Sequence, residues 1–162
     1  MKKSLIIALT LLIAVLFIIP MFGHYVLNTP PSINAVRNQF LSNKDEINVI
    51  VEYMIDSGYE DIYISSADGF MLADLVEIKI HDEECGAAIK KLIQGNEYIH
   101  IAKNSNTIYF LQWRGLKDIG CGITYSINRT DAPEIQFATE LVPLFDDGWF
   151  YYMSDYNRWR SE

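Results

Sequence analysis

Basic residues are scarce in this chain. Beyond Lys2 and Lys3, 11 Lys and Arg stand against 21 Asp and Glu, a net charge of −10 for the portion from His24 onward. Nucleic acid and anionic lipid surfaces both demand clustered Lys and Arg, so nucleic acid is not an expected partner. A solvated acidic surface is the more common reading of such a balance; as a partner, a basic protein or a cationic ligand is the better electrostatic match. Recognisable catalytic signatures are also missing: there is no Gly-x-Ser-x-Gly elbow, no phosphate-cradling glycine loop and no His-Glu-x-x-His pair. Internal repeats and low-complexity segments are absent too. The length of 162 residues suits one ordinary domain and no more.

What is present begins at the N-terminus. Residues 5–22 read LIIALTLLIAVLFIIPMF, without a charge. Eighteen helical residues reach about 27 Å, close to the thickness of a hydrocarbon core. The run is longer than the apolar region of a usual cleavable signal, and no Ala-x-Ala-like site follows it, so residues 1–23 read as an uncleaved signal anchor. Lys2 and Lys3 precede the span, and no Lys or Arg follows until Arg37. The positive-inside rule then leaves the N-terminus in the cytoplasm and residues 33–162 outside, as one extracytoplasmic domain on a single-pass cell-membrane protein. Residues 24–32, with Pro30 and Pro31, form a stiff spacer.

Past the spacer, Asn43 with Glu46 three positions on marks a helix start, Ile47, Ile50, Val51, Met54 and Ile55 repeat at helical spacing, and Gly58 marks the stop. Residues 32–41 hold an earlier helical turn. Period-two alternation then takes over: DIYISSA and FMLADLVEIKI flank Asp68-Gly69, a type I′ hairpin signal. Asp82 opens a second helix whose apolar stripe is Cys85, Ala88, Ile89 and Leu92, ending at Gly95. EYIHIAK, TIYFLQWR, CGITYSI and WFYYM follow as strands. EIQFATEL alternates as well, although Pro133 can instead start a short helix there. The fold class expected is α+β, a mostly antiparallel sheet with two helices packed on one face.

Candidate chemistry is thin. Cys85 lies near a helix start and close to His81, but Glu83 and Glu84 oppose a thiolate, so a buried structural residue is the stronger reading. Cys85 and Cys121 can pair in an oxidising compartment or stay as two independent buried thiols, since spacing does not fix their separation. His81, Asp82, Glu84 and Cys85, or Asp146, Asp147 and Asp155, have no established metal-ligand spacing, and no metal or cofactor is expected. Glu134 with Glu140, or Asp118 with Asp131, are conceivable glycosidase pairs that nothing in the sequence brings together. Asn128-Arg129-Thr130 matches a glycosylation sequon, relevant only in a eukaryotic secretory route.

The last strand is the densest feature. GWFYYMSDYNRWR carries six aromatics in thirteen positions. Trp149, Tyr151, Tyr152, Tyr156 and Trp159, flanked by Asp146, Asp147 and Asp155, read either as a core strand or as a recognition surface for a basic partner. With GITYSIN and IYFLQWRG, this ending resembles the C-terminal part of small membrane-anchored extracytoplasmic proteins of low-GC Gram-positive bacteria. Phe150 and Arg158 depart from that pattern, where Tyr and an acid are expected. The resemblance implies a bacterial cell-surface location and brings no active-site residues. The function expected is non-catalytic binding of a protein partner, in an inhibitor, immunity-type or accessory role; a cell-envelope hydrolase or a small-ligand sensor is the alternative.

Overall fold

The computed structural model describes residues 29–115, 118–129, 132–145 and 147–158. The expected membrane span at residues 5–22 lies outside them, and among the described residues no helix is long and apolar enough to cross a membrane. Also among the described residues, three helices and eight strands follow the order α1 (Ile33–Ser42), α2 (Lys44–Asp56), β1 (Asp61–Ile64), β2 (Phe70–Ala73), β3 (Val76–Lys79), α3 (Glu83–Ile89), β4 (His100–Asn104), β5 (Thr107–Arg114), β6 (Ile119–Ser126), β7 (Ala138–Pro143) and β8 (Trp149–Asp155). The fold is α+β with one antiparallel sheet, in the order β3-β2-β1-β4-β5-β6-β8-β7.

The helix count is three where two were expected, because the turn at residues 32–41 grows into a full helix. Ser32 Oγ accepts from the Ala35 N–H at 3.3 Å, and Val36 and Phe40 on its inner face are fully buried. The expected cap at Asn43 takes another form. Its side chain turns back, the amide donating to Gln39 O at 3.0 Å, and closes the end of α1 instead of opening α2. Asp82 does cap α3, its Oδ1 accepting from the Cys85 N–H at 2.7 Å; α3 then widens into a π-helical turn, Lys90–Gln94. Gly58, at φ 75°, ends α2 in the left-handed region that favours glycine.

Two strand expectations also change. The stretch FMLADLVEIKI is not one strand: Asp74 (φ 46°) and Leu75 (φ 68°) form a tight left-handed turn between β2 and β3. The type I′ geometry therefore sits there and not at Asp68-Gly69, which belongs to a longer connection. The sequence hides this turn because leucine is a poor occupant of left-handed backbone. EIQFATEL is strand only from Ala138; residues 132–137 run across the sheet as the link from β6 to β7, which must pass β8 to reach the edge.

The helices cover one face. Ile62, Ile64, Met71, Ile101, Phe110, Ile123 and Tyr151 point towards Ile47, Ile50, Met54, Ile89 and Leu92 in one buried cluster. Trp149 is its aromatic centre, 4.7 Å from Phe40, 4.9 Å from Tyr125 and 6.1 Å from Phe110 between ring centroids. Lys103 also points inward from β4 and is only 8 % exposed. Its ammonium donates to Met54 O at 2.9 Å and Tyr59 O at 2.5 Å, which neutralises the carbonyl-rich end of α2 and ties it to the sheet. Lys103→Met keeps the apolar stem but strips these carbonyls of a charged donor. A loss of about 2 kcal/mol in urea-unfolding stability is expected, and an unchanged midpoint would show that the bonds contribute nothing.

Candidate functional site

On the helix-free face, strand register sets the surface. One row of cross-strand neighbours reads Glu77, Leu72, Tyr63, Ala102, Tyr109, Thr124, Phe150 and Pro143 across all eight strands. Ala102 is the small residue between two tyrosines. With strands about 4.8 Å apart, Tyr63 and Tyr109 stand roughly 10 Å from each other at the backbone, with a methyl group as the floor between them. The result is a groove of about 370 Å³, closed at its sides by Leu72, Leu75, Ile135 and Tyr156.

The groove changes character along the strand direction. On one side the next row is polar, Asp61, Asn104, Thr107 and Ser126. On the other it is His100, Leu111, Gly122 and Tyr152. Gly122 sits opposite the bulge at Leu111–Trp113, where an added Cβ would come within 2.0 Å of Phe110 O, so no other residue fits without moving backbone. Tyr63 packs against the His100 ring at 5.1 Å, and Tyr109 meets Tyr152 edge-on at 6.2 Å. Tyr109 also donates its hydroxyl to Glu134 O at 3.2 Å, anchoring the link over the sheet. Arg114, ion-paired with Asp118 at 2.8 Å, stacks over Tyr156 at the far end. Beyond Tyr109 a more polar hollow continues, bordered by the amides of Asn104, Asn106, Asn128 and Gln136.

Acidic groups mark one end. The Asp61 N–H donates to Asp74 Oδ1 at 3.0 Å, which fixes the Asp74 carboxylate beside Asp61 at the mouth of the groove. Both are solvent-exposed. Two carboxylates at one end of the groove favour the approach of a cationic group. At the other end, burial and then the nearby Arg114 depress the His100 pKa, and its imidazole is neutral at pH 7.

The residues singled out from the sequence are distributed unevenly. Trp149 and Tyr151 lie in the helix-side core at 3 % and 2 % exposure, and Tyr152 is buried on the opposite face beneath Tyr109 and Tyr156. Of the described terminal aromatics, only Tyr152 and the half-buried Tyr156 line the groove. Trp159 and Asp146 lie outside the described residues. Asp147 and Asp155 flank β8 at opposite ends, roughly 26 Å apart along an extended strand, and so form no common patch. Asp155 instead accepts from the Asn157 N–H at 3.0 Å, which lowers its pKa.

Cys85 and Cys121 are not bridged: they are separate buried thiols, Cys85 near Asp82 and Cys121 beside Tyr151. Burial, reinforced by Asp82, raises the Cys85 pKa to about 12, which leaves no nucleophilic thiolate at neutral pH. Glu134 and Glu140 lie on opposite faces, the first in the link over the open side and the second in register with Met153. Asp131 lies outside the described residues. Among the described residues no three His, Cys, Asp or Glu side chains converge. Sequence reading missed Tyr63, Ala102, Tyr109, Asp61 and Asp74 as a set. Alternation puts Tyr63, and separately Ala102, on one face of its own strand, but only the register brings them together.

No family model, curated protein or solved structure matches the chain.

Two measurements check this geometry. With the fold intact at pH 8, iodoacetamide is expected to leave both cysteines unmodified and to alkylate both after unfolding; rapid labelling of either in the native protein would contradict their burial. For His100, the folded-state pKa is below the unfolded value near 6.5, so the unfolded chain binds the extra proton first and stability falls as pH drops from about 7 towards the folded value. His100→Gln is expected to flatten that part of the stability–pH curve, and an unaltered slope would show that His100 is not desolvated.

Proposed function

We propose that this protein is a non-catalytic recognition module, presented outside the cytoplasm from an N-terminal membrane anchor, and that it binds an extended segment of a basic protein partner in the helix-free groove. The observation that carries this reading is the Tyr63–Ala102–Tyr109 row: two aromatic walls and a methyl floor, left uncovered beside a face otherwise shielded by Tyr152 and residues 132–137. Aromatic residues with apolar bodies and polar tips suit binding surfaces that are wet in the free state and dry in the complex. The amides of Asn104, Asn106, Asn128 and Gln136 supply donors and acceptors of the kind that match a peptide main chain. Asp61 and Asp74 at the mouth, and the charge of −10 behind them, favour a basic segment over an acidic one.

The groove's volume lies at the lower end of the range for small-molecule sites, which is what favours the ligand-sensor alternative. Filling the groove separates function from folding. Ala102 is on the open face and outside the helix-side core, so Ala102→Leu occupies the floor without enlarging that core. The full-length protein in detergent micelles, applied to an array of short peptides of varied charge, is expected to retain a basic subset. Ala102→Leu is expected to weaken that retention by about tenfold, the effect of losing one buried anchor, with an unchanged melting temperature. Equal retention by wild type and variant would remove the groove as the site.

A further inference from the structure

The groove reading leaves open which side chain occupies it, and the geometry is selective on that point. We infer that the anchor position between Tyr63 and Tyr109 takes a guanidinium group, so that the segment recognised carries an arginine there. This inference rests on the groove being the binding site.

Three features favour a flat cation. A planar group held between two aromatic faces needs about 7 Å from ring to ring, two van der Waals contacts of roughly 3.5 Å, and strand spacing allows that gap over Ala102. Tyrosine faces attract cations, and arginine presents a plane where lysine presents a compact, strongly hydrated point charge. Carboxylate acceptors stand at the correct end. Asp74 uses Oδ1 to hold the Asp61 N–H, and the ion pairs among the described residues, Lys91–Glu46 and Arg114–Asp118, involve neither Asp61 nor Asp74. Among the described residues, the groove's floor and walls carry no positive side chain near this end: the one lysine that borders it, Lys103, sends its ammonium to the opposite side of the sheet.

The turn beside Asp74 shapes the rim. Leu75, at φ 68° in the two-residue turn that joins β2 to β3, is 90 % exposed. That conformation places an aliphatic side chain on the rim next to Asp74. There it can cover the methylene stem of a long side chain whose head lies deeper in the groove.

Citrulline, the neutral isostere of arginine, isolates the charge. The full-length protein in detergent micelles, with ¹³C-labelled tyrosine rings assigned through Tyr63→Phe and Tyr109→Phe, would be titrated with N-acetyl-arginine amide, its citrulline counterpart and its leucine counterpart. The arginine probe is expected to shift the Tyr63 and Tyr109 signals, with citrulline and leucine about fivefold weaker or more. The Asp61→Asn, Asp74→Asn double variant is expected to bring arginine down to the citrulline level. If citrulline matches arginine, or the double variant binds arginine unchanged, the guanidinium inference is overturned; the groove reading then survives provided that Ala102→Leu still suppresses the shifts. Shifts that persist in Ala102→Leu overturn both, and no tyrosine shift with the arginine probe overturns the inference.

Discussion

Eight strands at roughly 4.8 Å make a sheet about 34 Å across, and both faces must be either dried or made compatible with water, while the described residues provide three helices for the task. All three go to the same side. Everything particular about this molecule follows from how the second face is handled. Over β5, β6 and β8 it is dried by the β6–β7 link and by tyrosines, with Gly120 and Gly122 leaving room for the Tyr156 ring and for the bulged strand. Over β1, β2 and β4 it stays open, with Tyr63, Leu72 and Leu75 exposed at 43 %, 42 % and 90 %. The groove is the boundary between the two treatments.

The covered side is fastened by polar bonds as well as packing. Lys103 closes the end of α2 from below. Gln39 of α1 donates to Glu97 O at 2.7 Å and accepts from Gln112 at the β5 bulge. Arg37 reaches Leu144 O at 3.5 Å and lies over Phe145. Each bond links a helix to a different part of the sheet or its connections, so the helix layer is tied down along its length and the opposite face rests on a rigid support. A groove whose walls stand on different strands depends on that rigidity, since a register slip of one residue would send Ala102 to the interior and Lys103 into the groove.

Much of the architecture was legible from periodicity. The α2 stripe, the Asp82 cap and the alternation in β5, β6 and β8 all carry strong local signals, and together they imply an antiparallel α+β fold. Three things were hidden, each for a physical reason. The break at Asp74-Leu75 violates the usual turn chemistry. Residues 134–137 alternate like a strand but continue as a link, because the edge position beyond β8 can be reached only by crossing the face. The candidate site lay hidden for a different reason: Tyr63, Ala102 and Tyr109 share no motif, and their proximity is a property of pairing across three strands. The dense terminal aromatics read as a core strand or as a surface, and Trp149 and Tyr151 are core because their face of β8 lies under the helices.

The position of β8 has a consequence for how the protein is made. Synthesis proceeds from the N-terminus, so β6 and β7 leave the ribosome before the strand that joins them. Until residues 149–155 emerge, β6 has a bare edge, and β7 has no partner at all. A chain interrupted anywhere before Trp149 thus displays unpaired backbone and an unfilled aromatic centre, the marks of an unfinished product that aggregation and proteolysis both act upon. The aromatic strand is the keystone of an arch: set last, and needed before the rest can stand.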